Sequence, residues 1–136
     1  MFGRKEPKKP QNRIDSLIGQ GTRIEGNVTF SGGLRVDGQV IGDVTGIGDK
    51  ASMLVLSEQA RIEGAIRVSH LVINGTVAGP VYAMDYLELQ GKARINGDVH
   101  YKNMEIQMGA VVAGNLVHQD SQYSEKVVAF KPASGD

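Results

Sequence analysis

Residues 87–99 (LELQGKARINGDV) alternate apolar and polar positions, break, and alternate again. A period of two puts one set of side chains in a core and the other in water, as in a half-buried strand. The same wording returns at 54–66 (LVLSEQARIEGAI) and 104–116 (MEIQMGAVVAGNL), with a shorter echo over 18–28. One supersecondary unit is therefore written several times, and the repeat governs the reading of everything else.

Taking the apolar residue six before each apolar-x-Gly, or its equivalent, gives anchors at Ile18, Val36, Leu56, Ile73, Leu89 and Ile106, spaced by 18, 20, 17, 16 and 17 residues. Two positions before the anchors stand Leu34, Leu54, Leu71, Leu87 and Met104, with Ser16 breaking the row. Six turns of roughly 17 residues, opening Leu-x-aliphatic, predict an all-β chain folded as a single-stranded parallel β-solenoid. The longest step predicts a surface loop at 46–50 (GIGDK).

A second order follows from fixed offsets. Six beyond the anchors lie Ile24, Gly42, Ile62, Gly79, Ile95 and Val112; eight beyond lie Gly26, Val44, Gly64, Val81, Gly97 and Gly114. Over the first five turns, counted this way, a glycine is expected to stack beside a branched side chain of the next turn, a large–small interdigitation that fills a core.

Composition sharpens this picture. Glycine contributes 18 of the 136 residues and proline only 4, while aromatics make up 5% with no Trp, so the core has to be built from Val, Ile and Leu. Cysteine is absent, which excludes disulfides and thiolate metal sites. No apolar run approaches the ~20 residues of a membrane-spanning helix. No signal-peptide core follows the N-terminus either, so a cytoplasmic location is expected. Net charge is zero but unevenly spread: +4 over residues 1–13, −3 over 14–117 and −1 beyond. Three segments are expected: a disordered basic arm at 1–13, the β-helix domain at 14–117, and a disordered tail at 118–136.

Candidate chemistry is sparse. His70, His100 and His118 share no carboxylate-plus-nucleophile constellation, and the aspartates are scattered over outward or loop positions. The Gly-x-Gly runs at 19–21 and 46–48 lack the Lys-Ser/Thr of a phosphate loop. The basic residues of the arm have no interleaved aromatic beyond Phe2, so nucleic acid is not expected as a partner. The reading is a protein without catalytic, metal or cofactor-binding residues, and not an enzyme.

The pentapeptides at 24–28 (IEGNV) and 34–38 (LRVDG), and the repeated Ala-Arg-Ile-(Glu/Asn)-Gly at 60–64 and 93–97, resemble the bactofilin family. The start MFGRK is similar to the membrane-targeting tip of many members. This resemblance implies a right-handed parallel β-helix of six turns. It further implies end-to-end assembly without nucleotide into non-polar filaments, with like ends in contact. The expected setting is the inner face of the cytoplasmic membrane, as a bacterial scaffold for cell shape and cell-wall machinery such as an M23-type peptidase.

Residues for these roles follow. Membrane binding is expected of Met1, Phe2, Arg4, Lys5, Lys8 and Lys9. Polymerisation is expected of Ile24, Val28 and Phe30 at one end, and of Val112, Leu116 and Val117 at the other, as open core edges. A solenoid whose end turns lack caps exposes unpaired backbone and half a core, which is a template for edge addition. Two other readings compete: a left-handed hexapeptide-type acyltransferase, whose turns would be a strict eighteen residues, and a wall-enzyme scaffold that does not polymerise.

Overall fold

The computed structural model describes residues 13–48 and 50–119. Among these residues there are strands and turns but no helix. The first turn carries β1 (Ser16–Ile18), β2 (Arg23–Glu25) and β3 (Val28–Phe30). The second carries β4 (Gly33–Val36), β5 (Gln39–Ile41) and β6 (Val44–Gly46). In the third, β7 (Met53–Leu56) and β8 (Arg61–Glu63) lead into β9 (Ile66–Ile73). That long strand bends into the fourth turn, which adds β10 (Thr76–Ala78) and runs into β11 (Val81–Leu89). The fifth turn closes with β12 (Arg94–Asn96) and β13 (Val99–Tyr101). The sixth consists of β14 (Met104–Ile106), β15 (Val111–Ala113) and β16 (Leu116–His118).

Every pairing is parallel and joins one turn to the next, so the six turns stack into a three-faced β-solenoid. At about 4.8 Å per strand the stack is a rod about 29 Å long. The anchor ladder is the observed register of the first face, with Ile18, Val36, Leu56, Ile73, Leu89 and Ile106 pairing in succession. Inward columns on the other two faces run Ile24, Val40, Ile62, Val77, Ile95, Val112 and Val28, Val44, Ile66, Val81, Val99, Leu116. In the middle turns these side chains, including Leu54, Ile62, Leu71 and Leu87, are wholly buried. The described residues between β6 and β7 (47, 48 and 50–52) carry no strand, in the place of the loop expected from the longest step, although Gly46 itself belongs to β6. At the far end the fold runs slightly further than expected: His118 belongs to β16, and the Gln119 amide donates to Tyr101 O at 2.6 Å.

The expected glycine–valine interdigitation is not what stacks. The corner between the first two faces holds four residues in turns one, three, five and six, but two in turns two and four, where only Asp37-Gly38 and Asn74-Gly75 intervene. Fixed offsets from the anchor therefore slip by two in those turns. In the true register Ile24 lies over Val40, and Gly26, Gly42, Gly64, Gly79, Gly97 and Gly114 form one column at the second corner. There the backbone itself is the neighbour: a Cβ on Gly97 would lie 2.4 Å from Gly79 O, and one on Gly64 2.2 Å from Gly42 O. The first five of these glycines also have φ between +138° and +154°, where L side chains are strained.

Gly97→Val is therefore expected to destabilise the fold through both backbone strain and collision. Gly26→Val should cost the strain alone, about 1–3 kcal/mol, because a Cβ at Gly26 has no atom within 4 Å. Chemical denaturation of the two variants measures this; equal midpoints would show that the column does not limit the approach of the turns.

Candidate functional site

The two end turns are the places where the repeat stops. A central strand has a partner on each side, whereas β1, β2 and β3 have one only at their trailing edge and β14, β15 and β16 only at their leading edge. Among the described residues both ends therefore present unpaired backbone donors and acceptors around a three-sided perimeter, with the last layer of the core inside it. Among the described residues nothing helical caps either end.

At the N-terminal end Ile24 and Val28 are half-buried members of the inward columns, as expected for an open core edge. Phe30 differs: it pairs with Gly46, and its ring is only 9% exposed. The aromatic thus closes part of the edge it was expected to leave open, while the space beside Gly46 is filled by Ser52 and Val68 of the next turn. Ile18 is likewise 8% exposed, and Ser16 supplies a hydroxyl where every later turn has Leu or Met.

At the C-terminal end Val112 and Leu116 continue the inward columns above Ile95 and Val99. Val117 does not. It pairs with His100, on the outward side of the third face, because successive residues of a strand point to opposite sides. Val117 is thus a surface neighbour of the core edge and not part of it. Ile106, on the anchor ladder, and Met104, two positions before it, complete the edge on the first face and are not among the contact residues expected from the sequence. Ile106 and Leu116 are each 46% exposed, although the layer beneath them is fully buried.

The flanks are dressed differently. Arg23–Glu25, Arg35–Asp37 and Arg61–Glu63 form ion pairs at 2.9, 2.9 and 2.8 Å along three strands. All are largely solvated, so each adds little stability. At the glycine corner short side chains hold the next turn: Asn27 Oδ1 accepts from the Asp43 amide at 2.8 Å, Asp43 Oδ1 from Ala65 at 2.9 Å, and Asp98 Oδ1 from Asn115 at 3.0 Å. On the third face Arg67 lies 4.1 Å over the Tyr82 ring, which stacks on His100 at 4.4 Å. His70 lies on the first face, opposite Met53 and Tyr86, and His118 tilts against Tyr101. Tyr86 donates to Glu105 at 2.8 Å, and this bond to a carboxylate raises its pKa to about 12. Met1, Phe2, Arg4, Lys5, Lys8 and Lys9 lie outside the described residues. No helix of the described residues is long and apolar enough to cross a membrane.

A family model described as "Bactofilin: Polymer-forming cytoskeletal" matches residues 16–117. The chain belongs to the bactofilin family. It is 25% identical over 112 residues to bactofilin BacP of Myxococcus xanthus, covering 82% of this chain but 45% of that protein. It is 27% identical over 103 residues to bactofilin BacO of the same organism, covering 70% of this chain and 82% of BacO. The chain thus spans less than half the length of BacP. No solved structure matches. Bactofilins are a structural family of polymer-forming cytoskeletal proteins, not a family of enzymes. Membership sets aside the acyltransferase reading, and the turns of 16 to 20 residues agree.

The N-terminal turn carries one acid-sensitive clasp. Asp15 Oδ2 accepts the Gly33 amide at 3.0 Å, and this bond, aided by Arg13, holds the carboxyl below its ordinary value. A lowered folded pKa contributes stability that is present above the unfolded value of about 3.9 and is lost as pH falls through the folded one. Hydrogen exchange at Gly33 is expected to lose protection below about pH 4. In Asp15→Asn that pH dependence should disappear; an unchanged profile would place the sensitivity elsewhere.

Proposed function

We propose that this bactofilin assembles end to end into filaments that need no nucleotide, and that the filaments lie on the inner face of the cytoplasmic membrane as a scaffold. The observation that carries the first part is the pair of end turns, which no described residue caps and whose core columns and backbone ladders break off in mid-pattern. Another end turn supplies both things an end turn lacks: apolar cover for the last core layer and hydrogen-bond partners for three strand edges. Like ends meet as in an isologous contact, which closes on itself and gives a filament without polarity.

A charge in an end turn separates assembly from folding. In the monomer, water still reaches an arginine at Val28 or Val112, whereas inside an end-to-end contact the unpaired charge costs several kcal/mol. Val28→Arg and Val112→Arg should each give the circular dichroism of the wild type and no filaments by electron microscopy. Filaments persisting in both would overturn the proposal.

Membrane association rests on the arm of residues 1–13. Met1 and Phe2 each contribute roughly 1.5–3 kcal/mol if fully buried and less at an interface, and each Lys or Arg near anionic lipid adds about 1 kcal/mol. After the cost of ordering the arm, one chain holds a membrane weakly and reversibly. A filament repeats the arm at every subunit, so avidity strengthens attachment without any new contact. In flotation with anionic liposomes the wild type should rise with the lipid. Phe2→Glu and the assembly-deficient Val112→Arg should stay behind at moderate salt. Normal flotation of Phe2→Glu would refute the anchor; normal flotation of Val112→Arg alone would refute the role of avidity. A peptidoglycan peptidase of the M23 type is the partner class this scaffold is proposed to hold.

A further inference from the structure

The two ends of the rod are unlike in how much apolar surface they leave uncovered. At the N-terminal end the inward layer consists of Ser16, Ile18, Ile24, Val28 and Phe30; it starts with a hydroxyl, and Ile18 and Phe30 are already buried within the subunit. The C-terminal layer places Met104, Ile106, Val112 and Leu116 in the same columns, with His118 ending the column of Phe30, and Ile106 and Leu116 are almost half exposed. The outward positions of the second face follow the same trend, whereas the first face runs the other way, from Leu17, 60% exposed, through Arg35, Val55 and Val72 to Glu88 and Glu105. One column of the second face reads Arg23, Gln39, Arg61, Thr76, Arg94, Val111, and its neighbour reads Glu25, Ile41, Glu63, Ala78, Asn96, Ala113. Charge is thus stripped from this face towards the C-terminal end. Arg94 has no carboxylate among its bonds and donates to the carbonyls of Ala93 and Gly109. At the adjoining corner Met108 is 96% exposed.

We infer that the C-terminal end turn is the tighter of the two contacts, so that subunits first pair through their C-terminal ends and these dimers then add through their N-terminal ends. The occupant is the C-terminal end of a second copy. It must offer three open strand edges around a triangular core of the same cross-section, and a second copy has that shape. Apolar burial is the main source of association free energy and grows with the area removed from water. The N-terminal end has already buried its two largest edge residues inside the subunit, so a contact there gains less. The inference rests on the filament reading and divides it into two steps of unequal strength.

Sedimentation velocity on the full chain tests it, with one end blocked at a time and circular dichroism confirming the fold. Val28→Arg leaves the C-terminal end free and should sediment as a dimer at low micromolar concentration. Val112→Arg leaves only the N-terminal end and should remain monomeric there, pairing at concentrations at least tenfold higher. Leu116→Arg replaces Val112→Arg if the latter does not fold, and Ser16→Arg likewise replaces Val28→Arg. Dimers of both at the same concentration, or of the C-terminally blocked variant first, would overturn the inference while leaving end-to-end assembly intact. A wild-type protein that stays monomeric at every concentration would instead overturn the filament reading itself.

Discussion

The constraint on which this structure depends is the ladder of backbone hydrogen bonds between successive turns. Parallel strands stack at about 4.8 Å, and each turn has to bring its chain around three corners and return in register at that spacing. The third face carries the bulky inward residues Val44, Ile66, Val81 and Val99 directly after the glycine corner. At that corner a carbonyl of one turn occupies the space a Cβ of the next would need. Packing of the aliphatic core therefore comes second. It is possible because glycine lets the backbone approach first, and the Asn and Asp side chains at positions 27, 43 and 98 then tie the approaching amides.

Much of this was legible in the sequence, because the inward residues repeat every second position and the turns repeat every 16 to 20. The ladder from Ile18 to Ile106 needed no knowledge of the corners, since its members are identified by their own flanking pattern. The glycine column was illegible for a definite reason. The corners differ in length by two residues, and a slip of two preserves which side chains point inward while changing which column they join. A miscounted column therefore looks as self-consistent as the true one, and glycines were set beside valines that lie two residues along the strand. Leu116-Val117 shows the opposite limit: in two adjacent apolar residues, hydropathy does not say which faces in. Phe30 could not be read as buried because the alternation marks it as an inward residue of the first turn without saying how far that turn covers it.

Why the chain tolerates ends that a monomeric solenoid would cap follows from where its specificity resides. The outward positions carry ion pairs, carboxamides and an Arg67–Tyr82–His100 stack, all of which favour water or local partners over a second sheet. Edge-on association is left open in one direction only, along the rod. In the proposed filament, assembly along the rod and protection from sideways aggregation are then two results of one pattern, charged and hydrogen-bonded groups along much of the flanks and open strand edges among the described residues of the end turns.

The direction of the ladder also has a mechanical meaning. Strands run around the rod, so the bonds between turns point along its axis, and a pull on the ends loads the three faces together, with the core columns resisting the same opening. Within a subunit that load is shared among three faces built from two continuous sheets. At a junction between subunits it falls on side-chain packing and whatever edge bonds the two end turns make. In the proposed filament each segment is then stiff and the joints yield first, so that its resistance to breakage is set by the weaker joint.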